Sequence, residues 1–280
     1  MKNILVPTDF SQNSERALEY AQFLFDSFQC NFFLLHVDSF LNVEEESFVP
    51  IRSMERPKDS QQKKELLSEL LNRAKERSTS KKHSFYAIYE YGFLIESVKK
   101  QLADRKIDLI VMGTKGVSGL REKVVGSSAG DVITKVQHNT LVIPNDVSIS
   151  KPKEIAFPTD FNIFYTHNIL KAITELLKLS DASLRILHVT NNGFEPSEEQ
   201  LGNMGYLKDF MEETQPDNHS FHNVTNKRVK SAIQCFVESR DADMIVMVAK
   251  NLNFIQQILF DSIVEKISFH TKIPFFVIHD

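Results

Sequence analysis

The chain has 280 residues, 42% hydrophobic and 25% charged, ordinary values for a soluble globular protein and enough for two domains of modest size. A formal net charge of −4 and a pI near 6.2 argue against a non-specific nucleic-acid binder, which would carry a clustered basic face. No run approaches the roughly 18 apolar residues of a membrane span, the opening MKNILVPTDF lacks the apolar region of a secretory signal, and two isolated cysteines offer neither a disulfide framework nor a zinc site, so a cytoplasmic setting without membrane or nucleic-acid partners is expected.

Residues 4–6 form a short apolar run stopped by Pro-Thr-Asp, as in a buried parallel strand. Residues 14–26 place Ala17, Leu18, Ala21, Leu24 and Phe25 on one helical face. A second buried strand is expected over 32–37. The segment 38–64 is acidic, contains serines and is broken by two prolines, which reads as a surface insert leading into a helix. That helix, 62–77, carries Leu66, Leu67, Leu70 and Leu71 as its apolar stripe. A strand over 84–90, a helix over 94–105, a strand over 109–112, a helix over 127–137 and a strand over 140–143 follow. Strand and helix alternate throughout, so each sheet should be mainly parallel with helices on both faces.

The order then repeats. KNILVPTDF at 2–10 returns as KEIAFPTDF at 153–161, FFLLHV at 32–37 as LRILHV at 184–189, and IDLIVMGTKG at 107–116 as ADMIVMVAKN at 242–251. Helices are expected near 167–179, 198–213 and 229–239. The polar stretch around 145–152 separates two α/β domains, 1–146 and 152–280, each a five-stranded, three-layer α/β/α unit. The fifth strands, 140–143 and 275–278, are natural edges to pair as an intramolecular pseudo-dimer.

Five of the chain's nine glycines fall between 113 and 130, directly after the fourth strand. Ligands of open parallel sheets bind beyond the C-terminal strand ends. Gly113, Gly116 and Gly126 let backbone approach phosphates. Ser127 and Ser128 open a helix whose free amides and dipole attract negative charge, and Lys115 adds a cation. A turn followed by a serine N-cap would look the same, and composition leaves the two readings open. Asp9 has a competing role as a turn residue, because Asp160 recurs in the other half. His36 and His188 lack metal-ligand partners at suitable spacing and read as structural. Cys30 and Cys235 read as inert core thiols, Cys235 lying in an apolar helical stripe.

The spacing Gly113-x2-Gly116-x9-Gly126-Ser127, the opening ILVPTDFS and the LLHV strand resemble the universal stress proteins in their tandem two-domain form. The resemblance implies an adenine-nucleotide α-hydrolase-like, Rossmann-like fold with ATP, commonly with magnesium, across the C-terminal strand edge. Carried over residue by residue, it places Pro7, Thr8 and Asp9 near the adenine or ribose, and Val37 with its backbone toward adenine. Met112, Gly113, Lys115 and Gly116 would form the loop, and Gly126, Ser127 and Ser128 would hold the phosphates. In the second half Val248, Asn251 and Asp261 stand where Gly113, Gly116 and Gly126 stand in the first. Added side chains and a carboxylate oppose phosphate binding there, so one ATP per chain is expected.

No nucleophile–base pair or carboxylate cluster accompanies the motif, which points to a regulatory ATP-binding stress protein with little or no hydrolysis, at most a slow ATPase. The alternative is a nucleotide-independent scaffold working through the 38–64 insert or the apolar 252–260 loop. An adenylate-processing enzyme ranks last, since the phosphate loop such enzymes carry after their first strand is replaced by Pro-Thr-Asp-Phe-Ser at 7–11.

Overall fold

A computed structural model describes residues 1–38, 59–114, 127–190, 195–250 and 273–280. The first half runs β1 (Lys2–Pro7), α1 (Gln12–Leu24), β2 (Cys30–Asp38), α2 (Ser60–Arg77), β3 (His83–Tyr91), α3 (Leu94–Arg105), β4 (Leu109–Gly113), α4 (Ser127–Lys135) and β5 (Thr140–Ile143). The second runs β6 (Glu154–Pro158), α5 (His167–Ser180), β7 (Ser183–Thr190), α6 (Glu198–Thr214), β8 (His219–Thr225), α7 (Val229–Ser239), β9 (Met244–Val248) and β10 (Phe275–Ile278).

All the strands join one sheet in the order β3-β2-β1-β4-β5-β10-β9-β6-β7-β8. Among the described residues, pairing is parallel within each half and antiparallel only at β5–β10, where Phe275 faces Val142, Phe276 faces Leu141 and Val277 faces Thr140. The central strands are buried along most of their length, as expected when helices cover both faces. Alternate strand residues feed two cores. One packs Ile4, Val6, Phe32 and Phe157 against α1, α2, α5 and α6. The other packs Leu5, Ile110, Val142 and Ile245 against α3, α4 and α7. Because the seam is antiparallel, the C-terminal strand ends of the two halves face opposite ends of the sheet.

Among the described residues, side-chain caps start three of the helices. Ser11 accepts from Ser14 N at α1, Thr166 from Ile169 N at α5, and Ser197 forms a reciprocal capping box with Gln200 at α6. Two expectations about side chains need correction. Leu66 is 36% exposed while Leu67 and Leu70 are buried, so the apolar stripe of α2 is narrower than its leucines suggest. Cys30 is buried, but Cys235 is exposed. The inner face of α7 is set by Ala232, Ile233, Phe236 and Val237, and position 235 rotates away from it. The 252–260 loop and most of the 38–64 insert lie outside the described residues.

Candidate functional site

In the first half the sheet order reverses direction between β1 and β4, the position where doubly wound sheets open a crevice. A cavity of about 290 Å³ occupies it. Pro7, Thr8 and Asp9 enter from the end of β1, and Leu35, His36 and Val37 from β2. Met112, Gly113 and Thr114 close it from β4, Ser128 and Ala129 from α4. Seven of the residues singled out by sequence therefore line one cavity: Pro7, Thr8, Asp9, Val37, Met112, Gly113 and Ser128. Ser127 is the first residue of α4. Lys115, Gly116 and Gly126 lie outside the described residues.

The turn after β1 is built by its own side chains. Thr8 Oγ1 accepts from Phe10 N at 3.1 Å and lies 3.0 Å from Ser14 Oγ. Asp9 Oδ1 accepts from Ser11 N at 3.1 Å and from Ser11 Oγ at 2.6 Å. These bonds hold Phe10 at φ 64, a left-handed conformation that costs a non-glycine residue about 1–2 kcal/mol. The second half repeats the arrangement. Asp160 Oδ1 accepts from Asn162 N at 3.0 Å, Thr159 Oγ1 accepts from Phe161 N at 3.2 Å, and Phe161 sits at φ 57. Asp9 thus has the turn role that its recurrence suggested.

His36 is 8% exposed and its Nδ1 lies 2.9 Å from the carbonyl oxygen of Thr8, which requires Nδ1 to donate. Burial pushes its pKa down, against the upward pull of that bond and of Asp38, so the ring is neutral at pH 7 and Nε2 is an acceptor. His188 makes the same bond to Thr159 O at 2.9 Å. Both histidines tie β2 or β7 to the preceding turn, as their recurrence implied.

Gly113 has a reason that spacing did not reveal. A Cβ built on it would lie 2.5 Å from Asn13 Oδ1 and 2.9 Å from Asn13 O. Asn13 is buried in the first turn of α1 and its Nδ2 donates to Ile143 O at 3.2 Å. The glycine therefore admits α1 against β4 before any ligand is considered. At the matched position of the second half stands Phe164, 60% exposed, and Val248 stands where the first half has Gly113. The neighbouring Ser14, which lines the cavity, is matched by Tyr165, fully buried and 2.8 Å from Thr159 Oγ1. The helix α5 starts four residues later than α1 in register, so Ile163, Phe164 and Tyr165 stand where the first half has the first turn of α1.

Sequence reasoning also missed Gly92, Phe93 and Leu94 at the cavity mouth. Gly92 sits at φ +141, a value that L side chains rarely adopt, and Phe93 is 68% exposed. A glycine followed by an exposed aromatic between a strand and a helix was the available signal. Asp9 and His36 are the ionisable side chains lining the cavity among the described residues, and the Nδ1 proton of His36 is committed to Thr8. Among the described residues no group of three or more His, Cys, Asp or Glu is placed to hold a metal ion. The arrangement combines apolar walls, exposed strand-end backbone and a helix N-terminus, which suits binding more than proton transfer.

Fold and cavity define a doubly wound, Rossmann-like α/β protein with a crevice at its strand switch point. The family model described as the universal stress protein family matches the chain twice, over residues 1–144 and 152–279, and the chain belongs to that family. Universal stress protein YxiE of Bacillus subtilis is 30% identical over 129 residues, covering 44% of this chain and 86% of its own length. A universal stress protein of Methanocaldococcus jannaschii is 26% identical over 161 residues, covering 51% of this chain and 94% of its own. The crystal structure of a universal stress protein from Archaeoglobus fulgidus superposes with a TM-score of 0.69 at 19% identity, covering 99% of this chain and 96% of that one. Among the described residues no helix is long and apolar enough to cross a membrane.

Proposed function

We propose that this chain is a regulatory stress protein that binds one adenine nucleotide, ATP, in its N-terminal domain, residues 1–146, and does not depend on turning it over. The observation that carries this reading is the cavity at the β1/β4 switch point, which ends on the first turn of α4. Its volume of about 290 Å³ sits at the small end of ligand pockets, room for the base and ribose with the phosphates reaching out over α4. Met112, Val37 and Leu35 give the base apolar surface. The amides that open α4 at Ser127 and Ser128 meet the phosphates with the positive end of the helix dipole. Gly113, Gly116 and Gly126 with Ser127 complete the loop motif, Lys115 adds a cation, and a magnesium ion would be held by the phosphates. The domain formed by residues 152–280 binds no nucleotide in this manner. Tyr165 and Val248 occupy matched positions where the first half has Ser14 and Gly113.

Calorimetric titration with ATP tests the proposal. One site per chain is expected. At a hundredfold excess over Kd, ATP should stabilise the protein by about 2.7 kcal/mol. Gly126→Asp, which copies the second half, should abolish the heat while leaving the ligand-free melting temperature in place. Absence of ATP binding by the wild-type protein, or binding unchanged by Gly126→Asp, would overturn it.

A further inference from the structure

The second half displays an exposed apolar surface around its helix α6. Four of its large apolar side chains are exposed around α6: Leu201 (47%), Met204 (36%) and Tyr206 (45%) on the helix, and Phe164 (60%) beside it. Phe164 and Tyr206 stack, with ring centroids 5.7 Å apart and planes 11° from parallel. Helical geometry puts Leu201 and Met204 on one flank of α6 and Tyr206 on the other. Between them, on the outermost ridge, lie Gly202 and Gly205, and a Cβ on either would meet nothing within 4 Å.

A glycine inside a helix costs about 1 kcal/mol relative to alanine. Among the described residues no contact requires either of these glycines. The ridge is therefore a saddle, low at the glycines and apolar on both slopes. Its ends are acidic: α6 carries the exposed Glu198, Glu199, Asp209, Glu212 and Glu213 against the single cation Lys208, which pairs with Glu212 at 3.8 Å. The support is rigid. Gln200 Nε2 donates to Asp160 O at 2.7 Å and Asn203 Nδ2 to Phe161 O at 3.0 Å, tying the inner face of α6 to the turn that leads to Phe164. The matched helix α2 has no glycine, and its arginines pair with α1 through Arg73–Glu15 and Arg77–Glu19 at 2.6 Å.

We infer that this saddle docks a basic amphipathic helix of a partner protein. A crossing helix can approach the glycine backbone closely, place apolar side chains on both slopes, and set lysines or arginines against the carboxylates at either end. A second copy of the same acidic helix would be repelled, which disfavours self-association here. This role is independent of the nucleotide and belongs to the half whose glycine motif is lost.

The test uses the full chain and a synthetic helical peptide of roughly 18 residues, about five turns, with leucines on one face and lysines on the other. A leucine–glutamate version serves as control. Hydrogen-exchange protection should appear at 198–214 and near 164, and binding should weaken between about 50 and 200 mM salt as the charges are screened. The double substitution Gly202→Gln and Gly205→Gln fills the saddle while raising helix propensity, so a loss cannot come from unfolding. It should weaken binding roughly tenfold, and Tyr206→Ser should do likewise. Equal binding of the glutamate peptide, undiminished binding by the glutamine variant, or a wild-type dimer that the glutamine variant dissolves would each overturn the inference.

Discussion

At the residue scale, Gly113 shows how a position can satisfy a ligand motif and still be required by packing. Any Cβ there collides with Asn13, including its backbone oxygen, which a rotamer change does not relieve. Gly113→Ala should therefore destabilise the protein by about 1–3 kcal/mol, the usual cost of overpacking, read as a lower urea midpoint with unchanged slope. An unaltered midpoint would show that α1 can move aside freely. The histidines set an acid limit. Burial pushes the pKa values of His36, His138 and His279 down, that of His279 further because His138 is near. Below the unfolded value of about 6.5 the unfolded chain holds more protons than the folded one. Their stabilising contribution is thus complete above that pH and is lost as pH falls. The urea midpoint should be lower at pH 5.5 than at 7.5, and His279→Phe should flatten the difference. A midpoint that rises on acidification would contradict this sign.

At the element scale, α2 is held to β2 by one buried carboxylate. Asp38, 2% exposed, accepts from Lys63 Nζ at 2.8 Å, from Ser60 Oγ at 3.1 Å and from the Tyr89 hydroxyl. Burial pushes its pKa up, but the bonds from Lys63, Tyr89 and Ser60 outweigh burial and hold it below the usual range. Asp38→Ala removes the acceptor shared by Lys63, Ser60 and Tyr89, while Lys63 keeps Asp59 at 3.1 Å, so the cost should be about 1–3 kcal/mol. Faster hydrogen exchange confined to α2 should accompany the lower midpoint, while exchange in α3 and α4 stays slow. Periodicity located every helix and strand described in the first half, usually within two residues at each end, because each buries one stripe against the sheet. The repeat carried that order into the second half, where it set no bounds for β8. The pairing of the fifth strands was legible too, since an uncovered parallel edge needs a partner. Other features were hidden because they depend on contacts distant in sequence. Asn13 meets Gly113 only after α1 folds onto β4, Tyr165 displaces the start of α5, and Cys235 leaves the buried stripe by its rotation about α7.

For the whole molecule, the β5–β10 seam makes one sheet of two halves. Leu141 is 1% exposed within it. Leu141→Asp should destabilise the protein by several kcal/mol, since an unpaired carboxylate has no water there. Wild type should unfold in a single transition and this variant in two, one per half. A single transition that stays coincident by circular dichroism and by hydrogen exchange would show that the halves communicate by another route. The Lys2–Glu175 ion pair across the halves, at 2.6 Å but with 34% and 41% of the two side chains exposed, adds at most about 1 kcal/mol and does not set this coupling.

The seam has one further consequence. Where two identical protomers meet across such strands, every substitution is written twice, and a change that suits one end must be tolerated at the other. Here the two edges are encoded separately, and their meeting does not depend on concentration. Val248 and Phe164 stand at one end of the sheet where Gly113 and Asn13 stand together at the other. Covalent linkage thus frees each half from copying its twin, and the two ends of the sheet can serve different roles.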